Sequence, residues 1–248
     1  MQTITSRQHP RIKELAQLKL AKHRNAQQQF LAEGIRTIST ICTRMQPLAI
    51  FCNAALQEAA LSIADRSIIT IVTDEVMLKL SSSTTPPGII GLFALPGQPT
   101  QPVGSGLVLA NVSNPGNMGT MIRTAAAMGI QSVVVVEGTD PWGPKVVQAS
   151  AGTIALLNIY QWDWQTLIAR KGSHPLIALV VTGGAAPETL ALRSGLIVVG
   201  NEAQGIPPAW LADCEQQCTI AMPGNTESLN AAIATSIVLY IAYVQQPT

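Results

Sequence analysis

The residues of this 248-residue chain best placed for chemistry sit where apolar runs give way to polar turns. Leu107-Val-Leu-Ala-Asn-Val112 reads as a buried strand and leads into Asn114-Pro-Gly-Asn117, a turn with proline and glycine adjacent. From Met118 the spacing of Met118, Met121, Ile122, Ala125 and Ala126 is helical, and Gly129 stands where a helix is capped. Arg123 is the only charged residue between Asn111 and Gln131. A lone guanidinium in a helix of Met, Ile, Ala and Thr is either a solvated surface group or a fork of donors aimed at an anion. Glu202 follows a second apolar run, Leu196-Ile-Val-Val199, in a loop holding Gly200 and Gly205. Glycine there either lets backbone approach a ligand closely or marks an ordinary loop. Met222-Pro-Gly224 makes a third turn, and Ser228 and Asn230 open the last helix, where a serine can act as a cap.

These turns need a framework that brings them together. Strands are expected at 107–112, 132–136, 176–181, 196–200 and 217–221, and helices at 117–128, 145–151, 163–170, 208–213 and 228–244. Such alternation gives a parallel sheet covered by helices on both faces, with ligands at the strand-to-helix turns. A dinucleotide site of the Gly-x-Gly-x-x-Gly kind does not fit, because Asn117 stands where its second glycine is needed. Upstream, Pro96–Gly106 is rich in proline and glycine and carries no charge, the composition of a linker. The expected division is 1–95, a linker at 96–106, and 107–248. In the first part a helix is expected from Arg11, Phe30–Glu33 reads as a strand entering a helix at Gly34, and further strands are expected at 48–51, 68–72 and 89–95. A helical segment is expected at 74–80.

Composition narrows the classes. An apolar fraction of 47% with 12% charged residues describes a globular chain with a sizeable core, not a disordered one. The N-terminal stretch lacks the apolar segment of a signal peptide, and the apolar run Ala231–Val244 is too short for a membrane span. A cytoplasmic protein with reduced core thiols is expected, and Cys42, Cys52, Cys214 and Cys218 have no metal-site spacing, so no metal is expected. Net charge is +1, yet residues 1–44 hold eight Lys/Arg against Glu14 and Glu33, while residues 101–248 are net acidic. A basic appendage on a near-neutral body is a phosphate-binding footprint or simply a solvated basic helix.

Three stretches together, Asn114–Gly129, Leu196–Pro207 and Cys218–Ala234, resemble the three signature motifs of the SpoU family, the TrmH-like branch of the SPOUT RNA methyltransferases. Ser6-Arg-Gln-His-Pro10, Lys13 and Phe30-Leu-Ala-Glu-Gly34 resemble the opening of the substrate-binding domain found on rRNA-type members, a small α/β fold like certain ribosomal proteins. The resemblance implies an α/β SPOUT domain with a deep trefoil knot and S-adenosylmethionine (AdoMet) as methyl donor. It implies a homodimer and RNA, most plausibly rRNA, as partners, with no membrane. The donor would be gripped by Val199, Gly200, Asn201, Gly205, Ile220, Met222, Ser228 and Leu229. Arg123, Asn117, Glu202, Ser228 and Asn230 would serve the transfer of a methyl group to a ribose 2′-hydroxyl, with Arg123 activating or orienting that hydroxyl. Two departures stand out: Asn114 replaces a common aspartate, and Gln148 in Lys145–Gly152 replaces a common arginine. The alternative is an RNA-binding or ribosome-assembly protein that keeps the fold without the reaction.

Overall fold

A computed structural model describes residues 1–224 and 226–245, and the chain divides into two compact units. The first gathers Met1–Gly97 and Asp140–Leu156; the second gathers Gln98–Thr139 and the chain from Leu157 onward. The sequence reads 107–248 as one continuous domain, whereas Asp140–Leu156 packs by its contacts within the first unit.

The first unit is built on a five-stranded sheet of β1 (Gln2–Ile4), β2 (Gln29–Glu33), β3 (Ala49–Cys52), β4 (Ile69–Val72) and β5 (Ile89–Ala94), in the order β1-β4-β3-β5-β2. β5 runs antiparallel to both its neighbours; the other pairs are parallel. Side chains alternate between faces as strand geometry requires. Leu31, Ala49, Phe51, Ile90 and Leu92 join Ile12 and Leu15 of α1 (Pro10–Gln17) and Val76, Met77 and Leu80 of α5 (Asp74–Leu80) in one core. α5 starts at the predicted residue because the Thr73 hydroxyl accepts from Val76 N–H, an N-cap. Between α1 and α5 come α2 (Ala21–Gln27), α3 (Ile35–Cys42) and α4 (Gln57–Ile63).

β2 lies at the edge of this sheet, and α7 (Pro144–Ala149) from the later segment packs against it. Trp142 meets Phe30 of β2 with ring centroids 4.9 Å apart. The segment is pinned by a partly buried ion pair between buried Arg24 and half-buried Asp140.

The second unit is a six-stranded parallel sheet in the order β11-β9-β10-β6-β7-β8. Its elements are β6 (Gly106–Ala110), α6 (Pro115–Ala127), β7 (Ser132–Val136), β8 (Asn158–Trp162), α8 (Trp164–Arg170), β9 (Leu176–Leu179), β10 (Leu196–Val199), α9 (Pro208–Leu211), β11 (Gln216–Cys218) and α10 (Ala231–Val244). β6, β7 and β10 are buried along their whole length, the signature of a parallel sheet covered on both faces. Strand order reverses between β6 and β10. A crevice therefore opens at their carboxyl ends, where α/β sheets bind ligands. α6 ends as Gly129 takes φ +75°, with Ile130 N–H bonded to Ala125 O. α6 and α10 pack together, with Thr124 Oγ1 and Ser236 Oγ 3.1 Å apart.

Three expectations are corrected. β8 was not anticipated, because Asn158-Ile-Tyr-Gln-Trp162 is a half-polar edge strand. The last strand covers Gln216–Cys218 instead of 217–221. The last helix begins at Ala231 instead of 228, and its cap is Asn230, whose Oδ1 accepts from Ala232 and Ile233 N–H; Ser228 plays no capping part.

Candidate functional site at the carboxyl ends of β6 and β10

Two loops meet at the switch point. The loop after β10 closes on itself: Asn201 N–H donates to Gly205 O and Gly205 N–H to Asn201 O, both at 2.9 Å. Gly205 has φ +70°, and a Cβ on Gly200 would stand 2.3 Å from the Gly205 carbonyl carbon. The close approach that demands glycine at 200 is therefore to the chain's own backbone. The Asn201 side chain ties this loop to the other: Nδ2 donates to Asn111 O at 3.0 Å and to Ser113 Oγ at 3.3 Å, while Oδ1 accepts from Ala203 and Gln204 N–H.

Glu202 is the hub of the site. Its Oε2 accepts from Ser113 N–H at 3.2 Å and Ser113 Oγ at 3.0 Å; its Oε1 accepts from Asn114 N–H at 3.1 Å and Asn117 Nδ2 at 3.0 Å. Asn117 Oδ1 in turn accepts from Asn230 Nδ2 at 3.1 Å. Burial opposes ionisation of Glu202, but the hydrogen bonds from its own backbone N–H, Asn117 and Ser113 outweigh it and hold the carboxyl below its ordinary range. Asn114 caps α6, its Oδ1 accepting from Gly116 and Asn117 N–H, a role an aspartate would fill equally. Its replacement of aspartate leaves the cap in place.

Beside this network lies a cavity of about 250 Å³. Its walls include Val199, Gly200, Asn201, Gly205, Ile220, Met222, Ser228 and Leu229, so every residue expected to grip the donor faces one space. Glu202 lines it too, with Leu179, Val180 and Val181 at the end of β9 and Ala231 and Ala234 of α10. Asn225, within the third motif, lies outside the described residues. Asn117 and Asn230 stand one hydrogen bond and two hydrogen bonds from Glu202. Arg123 does not line the cavity. It is exposed on α6, on the stripe of Thr120 and Ala127, and makes no hydrogen bond or ion pair among the described residues. Lys145 and Gln148 are exposed on α7, in the first unit.

Sequence reasoning missed Ser113 and Asn111. Both sit between a buried strand and the first turn, the position from which a side chain or carbonyl reaches a neighbouring loop at a switch point; that position was the available signal. No group of three or more His, Cys, Asp or Glu side chains among the described residues could hold a metal.

A parallel sheet with a polar cluster and an apolar-walled cavity at its switch point is the arrangement of an α/β enzyme that binds an organic ligand beside a hydrogen-bonded carboxylate. The chain belongs to the SpoU rRNA Methylase family, whose profile matches residues 105–240. Residues 9–91 match the MRM3-like substrate binding domain. An uncharacterized tRNA/rRNA methyltransferase from Synechocystis is 32% identical, the match covering 98% of this chain and 94% of that one. A 23S rRNA uridine 2′-O-methyltransferase from Streptomyces viridochromogenes is 26% identical over 88% of this chain and 83% of its own. Among solved structures, the AdoMet-bound rRNA methyltransferase of Sinorhizobium meliloti superposes with a TM-score of 0.85 at 26% identity, covering 100% of this chain and 99% of that one. The family resemblance read from the three motifs is thereby confirmed.

Proposed function

We propose that the chain is an AdoMet-dependent methyltransferase acting on a ribose 2′-hydroxyl of ribosomal RNA. The observation that carries this is the single cavity that collects the residues of the second and third motifs beside the Glu202 cluster, in a chain of this family. The donor supplies a methyl group on a positively charged sulfur. Its apolar parts suit Leu179, Val180, Ile220, Met222 and Leu229, and its polar atoms suit the backbone and Asn201 at the cavity rim. Ionised Glu202 fixes both turns and presents Asn117 and Asn230 in one orientation. Ser228, exposed at the cavity rim, can hold a donor or ribose oxygen.

Arg123 is the group for the RNA. A guanidinium stays charged at neutral pH, so it serves poorly as a lone base. Its fork of donors orients the ribose and a neighbouring phosphate and stabilises the 2′-oxygen as its proton leaves. The basic first unit binds the RNA, chain 107–248 is threaded as a trefoil knot, and the protein works in the cytoplasm as a homodimer. Support for the dimer comes from α10, where Ile233, Tyr240, Tyr243 and Val244 leave an apolar stripe exposed beyond what packs on α6. No described helix is long and apolar enough to cross a membrane.

The test is methyl incorporation into rRNA from cells lacking the gene, followed by mapping of 2′-O-methylated nucleotides. One modified ribose that appears only with the wild-type protein supports the reading. Tight AdoMet binding with no methylation of any rRNA would move the protein to the non-catalytic class.

A further inference from the structure

Within the second unit, the loop that follows β9 turns back onto β11. Val180 N–H donates to Cys218 O at 2.9 Å as the chain leaves β9. On its return, Ala185 N–H donates to Gln217 O at 2.9 Å and Ala185 O accepts from Thr219 N–H at 2.9 Å. Between these bonds runs the short loop Val181–Gly184. Gly183 takes φ +83°, and Gly184 lies against the neighbouring backbone: a Cβ there would stand 2.7 Å from the Cys218 carbonyl carbon and 2.8 Å from its nitrogen. Glycine at both places lets so short a loop reverse in so little space.

One hydroxyl fastens both ends of this loop. Thr219 Oγ1 accepts from Gly184 N–H at 2.9 Å and donates to Val180 O at 3.2 Å. A hydroxyl can give and receive at once, which a methyl cannot. Thr219 is half-buried and is not itself a wall of the donor cavity. The residues it ties are: Val180 and Val181 line the cavity, and so does Ile220, the residue after Thr219. Val181 is 52% exposed, an apolar side chain at a cavity wall with water over it. Such a surface gains free energy when a ligand covers it.

We infer that Thr219 is a positioning residue for the methyl donor. Its hydroxyl sets the wall that Val180 and Val181 present to the cavity. Because Ile220 follows it directly, the same residue registers that wall against the third motif. The seated donor covers Val181 and removes its apolar surface from water. Thr219 acts through the loop and not on the reacting methyl group, so it governs how tightly the donor is held and leaves the transfer step alone. This inference rests on the methyltransferase reading and involves residues of the second unit only.

The test uses the full chain and three variants: Thr219→Val, Thr219→Ser and Val181→Ala. AdoMet calorimetry is run beside single-turnover methylation and thermal melts. Thr219→Val keeps the shape and removes both hydrogen bonds; the AdoMet Kd is expected to rise about tenfold, with the rate at saturating AdoMet and RNA unchanged. S-adenosylhomocysteine, which lacks only the methyl group, should lose affinity by the same factor. Thr219→Ser keeps the hydroxyl and should bind within about twofold of wild type. Val181→Ala trims the wall itself and should raise the Kd about threefold. A merely structural threonine would lower the melting temperature and leave the Kd alone, so a folded Thr219→Val protein with wild-type Kd overturns the inference. If Thr219→Val does not fold, Val181→Ala decides: its side chain is exposed, and a wild-type Kd there means that the wall Thr219 holds does not touch the donor. A wild-type chain that binds AdoMet while Thr219→Val binds it equally well defeats this inference alone; a wild-type chain that binds no AdoMet defeats the function reading and this inference with it.

Discussion

Asn117 and Glu202 lie 85 residues apart in the chain and 3.0 Å apart in the fold, joined by one amide-to-carboxylate hydrogen bond. The oxygen of the same Asn117 amide accepts from Asn230 Nδ2, so these two bonds together register all three motifs against one another. A carboxylate accepting four hydrogen bonds cannot be replaced by an amide without conflict, since an amide turns one of its two ends into a donor.

Glu202→Gln is therefore expected to weaken AdoMet binding about tenfold, roughly 1.4 kcal/mol, by calorimetry. The sign of the pH effect follows from the lowered carboxyl pKa. The cluster's contribution is complete above the ordinary glutamate value, about 4.3, and is lost as pH falls through the lower folded value. Donor affinity in the wild type should be flat above about pH 5 as far as Glu202 is concerned. A Glu202→Gln protein with wild-type affinity would remove Glu202 from the donor site.

Arg123→Ala should leave the melting curve and AdoMet affinity unchanged, because the side chain is exposed and lines no part of the cavity. Single-turnover methylation should fall by about 10²–10⁴, and Arg123→Lys should recover little, since an ammonium lacks the planar fork. Full turnover in Arg123→Ala would leave the 2′-hydroxyl without its assigned partner.

Gly200→Ala places a methyl against the Gly205 carbonyl carbon and the Ile206 nitrogen, at 2.3 and 2.4 Å. Backbone on the receiving side cannot swing away as a side chain can. A loss of about 1–3 kcal/mol of stability is expected, seen in the denaturation midpoint, together with reduced AdoMet binding. An unshifted midpoint would show that the 201–205 loop is softer than its paired hydrogen bonds imply.

The thiols should be inert. Burial, then the carboxylates of Glu215 and Asp213, push Cys214 up to about 12. Burial and Glu188 push Cys218 up to about 11. Thiolate is the reactive form, so native protein at pH 8 should resist iodoacetamide at both sites while denatured protein reacts. Mass spectrometry of the alkylated native chain reads this directly; rapid labelling of Cys218 would indicate local opening at β11.

Much of the second unit was legible because its central strands announce themselves. Val133–Val136 and Leu196–Val199 are uninterrupted apolar runs, and the turn at Asn114–Asn117 carries proline, glycine and a capping amide in the order a helix start requires. The cavity walls were legible only through the family motifs, since Val199, Ile220 and Leu229 look like ordinary apolar residues. The Glu202 cluster was half legible. Its carboxylate stood out in a loop, but Ser113 becomes a partner only when β6 and β10 pair, and no local pattern encodes that pairing. Asp140–Leu156 was least legible. A short helix between two parallel strands is what any crossover looks like, and its destination depends on Phe30 and Arg24, more than a hundred residues upstream.

The cover that α7 gives to β2 limits how this protein can be recombined. A hybrid that exchanges only residues 1–97 for those of a relative would carry a foreign edge strand beside a native α7, with Trp142 and Asp140 facing side chains they did not evolve against. Grafts that transplant residues 1–97 and 140–156 together should keep the packing of Trp142 on Phe30 and the Arg24–Asp140 pair, while single-cut grafts should lose both and melt at lower temperature. The first unit is therefore a split cassette, with its last seventeen residues, Asp140–Leu156, written inside the stretch of sequence that encodes its neighbour.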